Sequence, residues 1–334
     1  MRSAVVAVLA LLALCACSQG GGRPAADADG RTVIRFATDW KAEAEHGGFY
    51  EALATGEYAR RGLDVRIIPG GPDVNVPEMV ASGEVELGDG SNSFIVMNLA
   101  NHQPERVPVK AVAAFMQKDP QVLLAHPGVG ISSIADMKGH PILLSDASRT
   151  AFWPWMKARY GFSDSQVRSY DFNNGPFILD PQSVQEGYVT SEPYTVQKEG
   201  HFQPLVFLLA DQGYPSYAAM VLASDKLIAS NPDAVRKFVE ASAVGWREYL
   251  HGDPRPADAL ILKDNPEMTQ DVLAQARDKM RQYGIVNGGD VPTLGYGAMT
   301  DQHWLDFFEV ASGGGVARYK DAFTLAFLPN PPVK

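Results

Sequence analysis

Along the chain, short β-rich apolar runs alternate with amphipathic stretches. Val33–Thr38 (VIRFAT), Leu63–Ile68 (LDVRII), Val85–Gly88 and Val107–Met116 read as strands. Between them, Gly47–Arg61, Val76–Ser82 and Ser91–Ala100 place apolar residues on one face and read as helices. Gly62 stands where a helix ends in a left-handed turn. The middle keeps the rhythm, with strands predicted over 121–125, 141–144, 168–172, 187–189 and 205–209 and helices over 132–137 and 150–160. After a last strand at Ala218–Ala223 the texture turns helical, over 231–250, 254–263, 269–283 and 300–312. Repeated strand–helix units predict an α/β fold with mainly parallel sheets.

The N-terminus has a different pattern. Arg2 precedes an unbroken apolar run, Ala4–Ala16, shorter than the ~20 residues that span a bilayer. A charged start, a short apolar stretch and a small residue before a break describe an export signal. Leu14-Cys15-Ala16-Cys17 resembles a bacterial lipobox, which predicts a signal peptide over 1–16 and a lipid anchor on Cys17. An ordinary soluble secretory signal is the other reading. Residues 17–30, rich in Gly, Ala and Asp, read as a flexible tether.

Composition narrows the chemistry. The two cysteines are Cys15 and Cys17, so the body has no disulfide, thiolate metal site or cysteine nucleophile. The net charge of −10 with no basic run argues against nucleic acid. The seven histidines show no metal-ligand spacing, and Gly-x-Ser-x-Gly, Walker and His-Glu-x-x-His patterns do not occur. No metal and no cofactor are expected.

An ordered set of motifs carries a resemblance: Trp40, His46-Gly47-Gly48-Phe49-Tyr50, Gly62-Leu63-Asp64-Val65, Gly83–Gly88 with Ser91-Asn92, Gln117–Pro120, Asp136–Gly139 and Ser191-Glu192-Pro193-Tyr194. It resembles the periplasmic solute-binding proteins for the pyrimidine precursor of thiamine and, more distantly, those for nitrate, sulfonate and taurine. The resemblance implies two mixed sheets with flanking helices, forming two lobes joined by a two-segment hinge near 115–119 and 210–217. It places one lobe in 31–116 with 218–334 and the other in 117–217. It also implies a monomeric binding protein, not an enzyme, that delivers a small molecule to an ABC permease from the periplasm or cell surface.

The resemblance and the residue types together nominate a cleft. Trp40, Asp89–Asn92 and Ser145–Thr150 all follow strands, where open α/β sheets bind ligands. Trp40 offers a stacking face. His46 and Tyr50, four apart, can share a helix face, and Gly48 lets backbone N–H groups approach a ligand. Ser91, Asn92 and Ser148 are capping and hydrogen-bonding types, and Arg149 can meet an anion. Glu192 can accept N–H bonds from an aminopyrimidine edge, with Trp153, Tyr188 and Tyr217 as further aromatic candidates. The leading ligand is a small planar heteroaromatic such as a thiamine pyrimidine precursor. The alternatives are a small anion held by Arg149 and Ser91, and an exported enzyme on the same fold.

Overall fold

The computed structural model describes residues 25–334; the expected signal peptide, Cys17 and the start of the tether lie outside the described residues. Within them the chain builds two five-stranded sheets. The first holds β1 (Thr32–Ala37), β2 (Leu63–Ile68), β3 (Leu87–Asn92), β4 (Val109–Met116) and, after an excursion of about a hundred residues, β10 (Ala218–Ser224). Its order is β2-β1-β3-β10-β4. β1 runs parallel to β2 and β3, and β10 runs antiparallel to β3 and β4. The excursion supplies β5 (Gln121–Ala125), β6 (Ile142–Leu144), β7 (Val167–Ser169), β8 (Val184–Tyr188) and β9 (Leu205–Leu208), ordered β7-β6-β8-β5-β9. In this sheet β5 is antiparallel to β8 and β9, and β6 is parallel to β7 and β8.

The central strands explain the continuous apolar runs. In β10 the sequence AAMVLA is buried at every position, because both faces of the sheet are covered. The chain crosses between sheets at 117–120 and 209–217, and the crossings are tied together where the Asp119 amide donates to the Ser216 carbonyl at 2.9 Å. The long helix Pro232–His251 starts on a Pro at its first turn and an Asn231 cap, whose side chain accepts from the Ala234 amide at 3.3 Å. Its apolar face packs Phe238 and Trp246 against Phe36, Phe49 and Phe115.

The elements differ from expectation where local backbone chemistry intervenes. The helix predicted over 47–61 is two, Gly47–Ala54 and Glu57–Arg60, because Gly56 adopts a left-handed φ of 78°. The helix predicted from Ser91 begins at Ser93, since β3 runs on through Asn92. The helix over 150–160 is also two, Asp146–Thr150 and Trp153–Tyr160. Helices Gly175–Leu179, Glu192–Gly200 and Asp225–Ser230 were not expected. The end of the tether is ordered: the Val33 amide donates to the Ala25 carbonyl at 2.8 Å, and Asp27 pairs with Arg31.

Candidate functional site

A cleft of about 930 Å³ opens between the strand ends of the two sheets. Trp40 enters it from the segment after β1. Its carbonyl is held by the Gly70 amide at 2.9 Å and by the hydroxyl of the fully buried Thr38 at 2.8 Å. From the other sheet, Phe172 reaches across to Trp40, with ring centroids 4.7 Å apart. Phe172 has a left-handed φ of 65° and stays half exposed, so the backbone accepts strain to present this ring. Tyr170, Tyr188, Phe94, Phe152 and Tyr214 add aromatic surface.

The charge of the lining is one-sided. Nine carboxyl side chains face the cleft (Asp39, Glu43, Glu45, Asp89, Asp119, Asp146, Asp171, Glu186 and Glu192) and, among the described residues, its lining contains no Lys, Arg or His. Glu192 opens its helix with its carboxylate folded back to accept the Tyr188 amide at 2.6 Å. That fold needs Gly187, where a Cβ would stand 2.6 Å from the Glu192 Cβ. Burial pushes the Glu192 carboxyl up to about 7 against the lowering effect of the Tyr188 amide, and Glu45 and Glu186 add repulsion. Burial raises Glu186 too, although it accepts from the Ser145 amide at 2.9 Å; its second oxygen has no protein partner. Glu45 accepts from the Thr190 hydroxyl. Burial and the neighbouring Glu45 push Glu43 well above the carboxylate range. At the far end, burial and the charge of Asp39 raise Asp89. Burial, the largest single effect, would raise Asp39 as well, but the hydrogen bond and charge of His46 together with hydrogen bonds from Ser91 and the Asp39 backbone outweigh it and hold Asp39 low.

The structure brings together Trp40, Ser91, Asn92, Ser148, Tyr188 and Glu192 from the expected set. Asn92 doubles as a cap, its side chain accepting from the Phe94 and Ile95 amides. The other six do not line the cleft. His46 is buried behind it, with Nε2 2.9 Å from Asp39. Gly48 packs on Trp246, and the buried Tyr50 ring points its hydroxyl away from the cleft to donate to the exposed Asp264 at 3.0 Å. Arg149 lies beside Asp146 at 3.7 Å, so the lining lacks the cation expected for an anion. Trp153 is buried and donates from Nε1 to Asp164 at 2.7 Å. Tyr217 is buried, stacked on His303 with centroids 3.8 Å apart, and its hydroxyl accepts from the Thr300 amide. Sequence reasoning missed the acidic lining. Its visible signal was the pair of glutamates in the spacer KAEAE after Trp40.

Raised carboxyls carry a stability consequence. Burial pushes Glu51, Asp119 and Glu192 each up to about 7. The folded chain therefore holds extra protons between about pH 4 and 7, where the unfolded chain has released them. Their contribution is fully present below the unfolded values and is lost as pH rises through 7. We expect the ligand-free protein to be less stable at pH 7.5 than at pH 5 by roughly 1–3 kcal/mol, and so to melt at a lower temperature, after allowing for water in the open cleft and at the partly buried Glu51. Calorimetry across that range checks it, and a melting temperature that rises from pH 5 to 7.5 would contradict it.

Comparison with known proteins agrees with this architecture. The chain is 26% identical over 312 residues to the riboflavin-binding protein RibY of Chloroflexus aurantiacus, covering 89% of this chain and 86% of that one. It is 25% identical over 284 residues to the formylaminopyrimidine-binding protein of Halalkalibacterium halodurans, covering 81% and 78%. It is also 24% identical over 253 residues to the 4-amino-5-hydroxymethyl-2-methylpyrimidine phosphate synthase of Candida albicans, covering 72% and 73%. In structure it superposes on the putative sulfonate-binding protein SsuA of Methylobacillus flagellatus with a TM-score of 0.60 at 15% identity, covering 89% and 92%, a likeness of fold. The NMT1/THI5-like family model matches residues 43–257, well over half of the chain, and the chain belongs to that family.

Proposed function

We propose that this protein is the solute-binding component of an ABC import system and captures a planar nitrogen heteroaromatic rich in N–H donors. The observation that carries the reading is the lining: aromatic rings from both sheets and nine carboxyl groups without a cation. Flat rings stack on aromatic faces, and carboxylates accept hydrogen bonds from ring N–H and exocyclic amine groups. The relatives named for riboflavin and formylaminopyrimidine take their names from planar nitrogen heteroaromatics, the aminopyrimidine offering amine donors and riboflavin one ring N–H and side-chain hydroxyls. A small anion is the poorer fit, because the lining offers it no positive partner and its binding would oppose ionisation of the surrounding carboxyls. The synthase named among the relatives makes recovery of unchanged ligand part of the test.

In this reading the halves 31–116 with 218–334 and 117–217 close on the ligand about the paired crossings. Cys17 holds the chain at the membrane beside its permease. Glu192→Gln removes a charged acceptor and Trp40→Ala a stacking face. Each is expected to weaken binding of an aminopyrimidine or flavin by about tenfold or more, while Arg149→Ala changes it little. Calorimetry on the three variants decides. If Arg149→Ala is the damaging change and Glu192→Gln is neutral or helpful, the ligand is an anion and the proposal fails.

A further inference from the structure

Behind Trp40, three side chains point donor atoms at one another. Asp39 follows β1, Asp89 lies on β3, and His46 directly precedes the helix Gly47–Ala54. One donor atom from each lies within 4.8 Å of the other two. His46 Nε2 stands 2.9 Å from Asp39 Oδ1 and 3.5 Å from Asp89 Oδ2. Around a tetrahedral zinc-class ion with bonds of ~2.0–2.1 Å, neighbouring donor atoms lie about 3.3 Å apart. The two observed separations bracket that value.

Burial adds an independent reason. His46 is 1% exposed and Asp89 3% exposed, and both His46 Nδ1 and Asp89 Oδ1 lack a hydrogen-bond partner. An unpartnered buried polar atom is costly, and two neighbouring carboxylates cannot both be charged cheaply in such a place. A dication beside His46 Nε2 relieves the carboxylate repulsion and gives the buried Asp89 carboxylate a partner, whereas His46 Nδ1, on the other side of the ring, is not served by it.

We propose that Asp39, His46 and Asp89 form a binding site for a zinc-class divalent ion. One nitrogen and two carboxylate oxygens suit zinc or cobalt better than magnesium or calcium, which take six or more oxygens. Asp39 and Asp89 both face the cleft, which leaves a fourth position open on that side. A solute lone pair, such as a ring nitrogen or carbonyl oxygen, can take that position; this last step rests on the binding reading above. The histidine pattern hid the site, because its members are 7 and 43 residues apart along the chain (39 to 46, 46 to 89) and converge only through the sheet.

The test needs no solute. Full-length protein is stripped with chelator, dialysed and titrated with Co²⁺ and then Zn²⁺. We expect one ion per chain, an intense visible Co²⁺ absorption of tetrahedral type, and its loss on adding Zn²⁺. His46→Gln and Asp89→Asn should each weaken binding at least tenfold, with Asp89→Asn at least as heat-stable as the parent without metal. Absence of one-to-one binding, or binding undiminished in both variants, overturns the site. That failure leaves the heteroaromatic reading standing, whereas metal binding without any heteroaromatic binding would sink only the latter.

Discussion

Asp258→Ala is expected to destabilise the protein by about 3–5 kcal/mol. Asp258 is 2% exposed and faces Arg277, itself 8% exposed, at 2.6 Å. The same guanidinium donates to the Tyr249 hydroxyl at 3.2 Å and sits over the Tyr249 ring. The cluster joins helices Pro232–His251, Arg255–Asp264 and Gln270–Tyr283. Burial raises the Asp258 carboxyl and Arg277 draws it back down, so the pair itself contributes little net stability. Its removal from one side is what costs, because Arg277 is left charged and buried. Asp258→Leu combined with Arg277→Met should recover most of the loss. Denaturant unfolding of the single and double variants measures both, and a single variant within 1 kcal/mol of the parent would show that water reaches the guanidinium.

The second large effect lies where helices Gly47–Ala54 and Pro232–His251 meet backbone to backbone. A Cβ on Gly245 would stand 2.1 Å from the Gly48 carbonyl oxygen and 2.7 Å from the Ala52 Cβ. Reciprocally, a Cβ on Gly48 would stand 2.1 Å from the Trp246 ring. Helix propensity alone favours Ala over Gly by about 1 kcal/mol. The backbone contact reverses that sign, since a carbonyl cannot rotate away as a long side chain can. Overpacking of this kind costs about 1–3 kcal/mol and more for a branched residue. Gly245→Val is expected to cost about 3 kcal/mol or more and to lower melting by several degrees. It should also weaken ligand binding, because the displaced helix begins next to His46 and Asp39. A Gly245→Val protein as stable as the parent would refute the close packing.

The alternation of apolar runs and helical stretches made the two-sheet architecture legible, because buried strands such as β10 must be apolar on both faces. Short helices escaped for a local reason. Those at Gly175–Leu179 and Glu192–Gly200 carry Pro176 and Pro193 in their first turn, where proline favours a helix start rather than a stop. The site was half legible. Trp40, Asn92 and Glu192 sit at strand ends and helix starts, positions that sequence order marks. Gly48, Tyr50 and Tyr217 share those neighbourhoods, yet their faces are set by tertiary packing against Trp246, Asp264 and His303. Asp89 was marked by its place at a strand end, but Glu186 was illegible as a lining residue, since a lone acid in a short strand reads as a solvated edge until the partner sheet encloses it.

The central claim is that an acidic, aromatic cleft selects a donor-rich flat ring over an anion. Titration calorimetry on full-length protein tests it most directly, with an aminopyrimidine, riboflavin, a sulfonate and nitrate offered separately at pH 7.5. The account predicts saturable one-to-one binding of at least one heteroaromatic. At 100 times its Kd that ligand should stabilise the fold by about 2.7 kcal/mol. Neither anion should bind measurably. Tight binding of the sulfonate or nitrate, with no heat from either heteroaromatic, would contradict it.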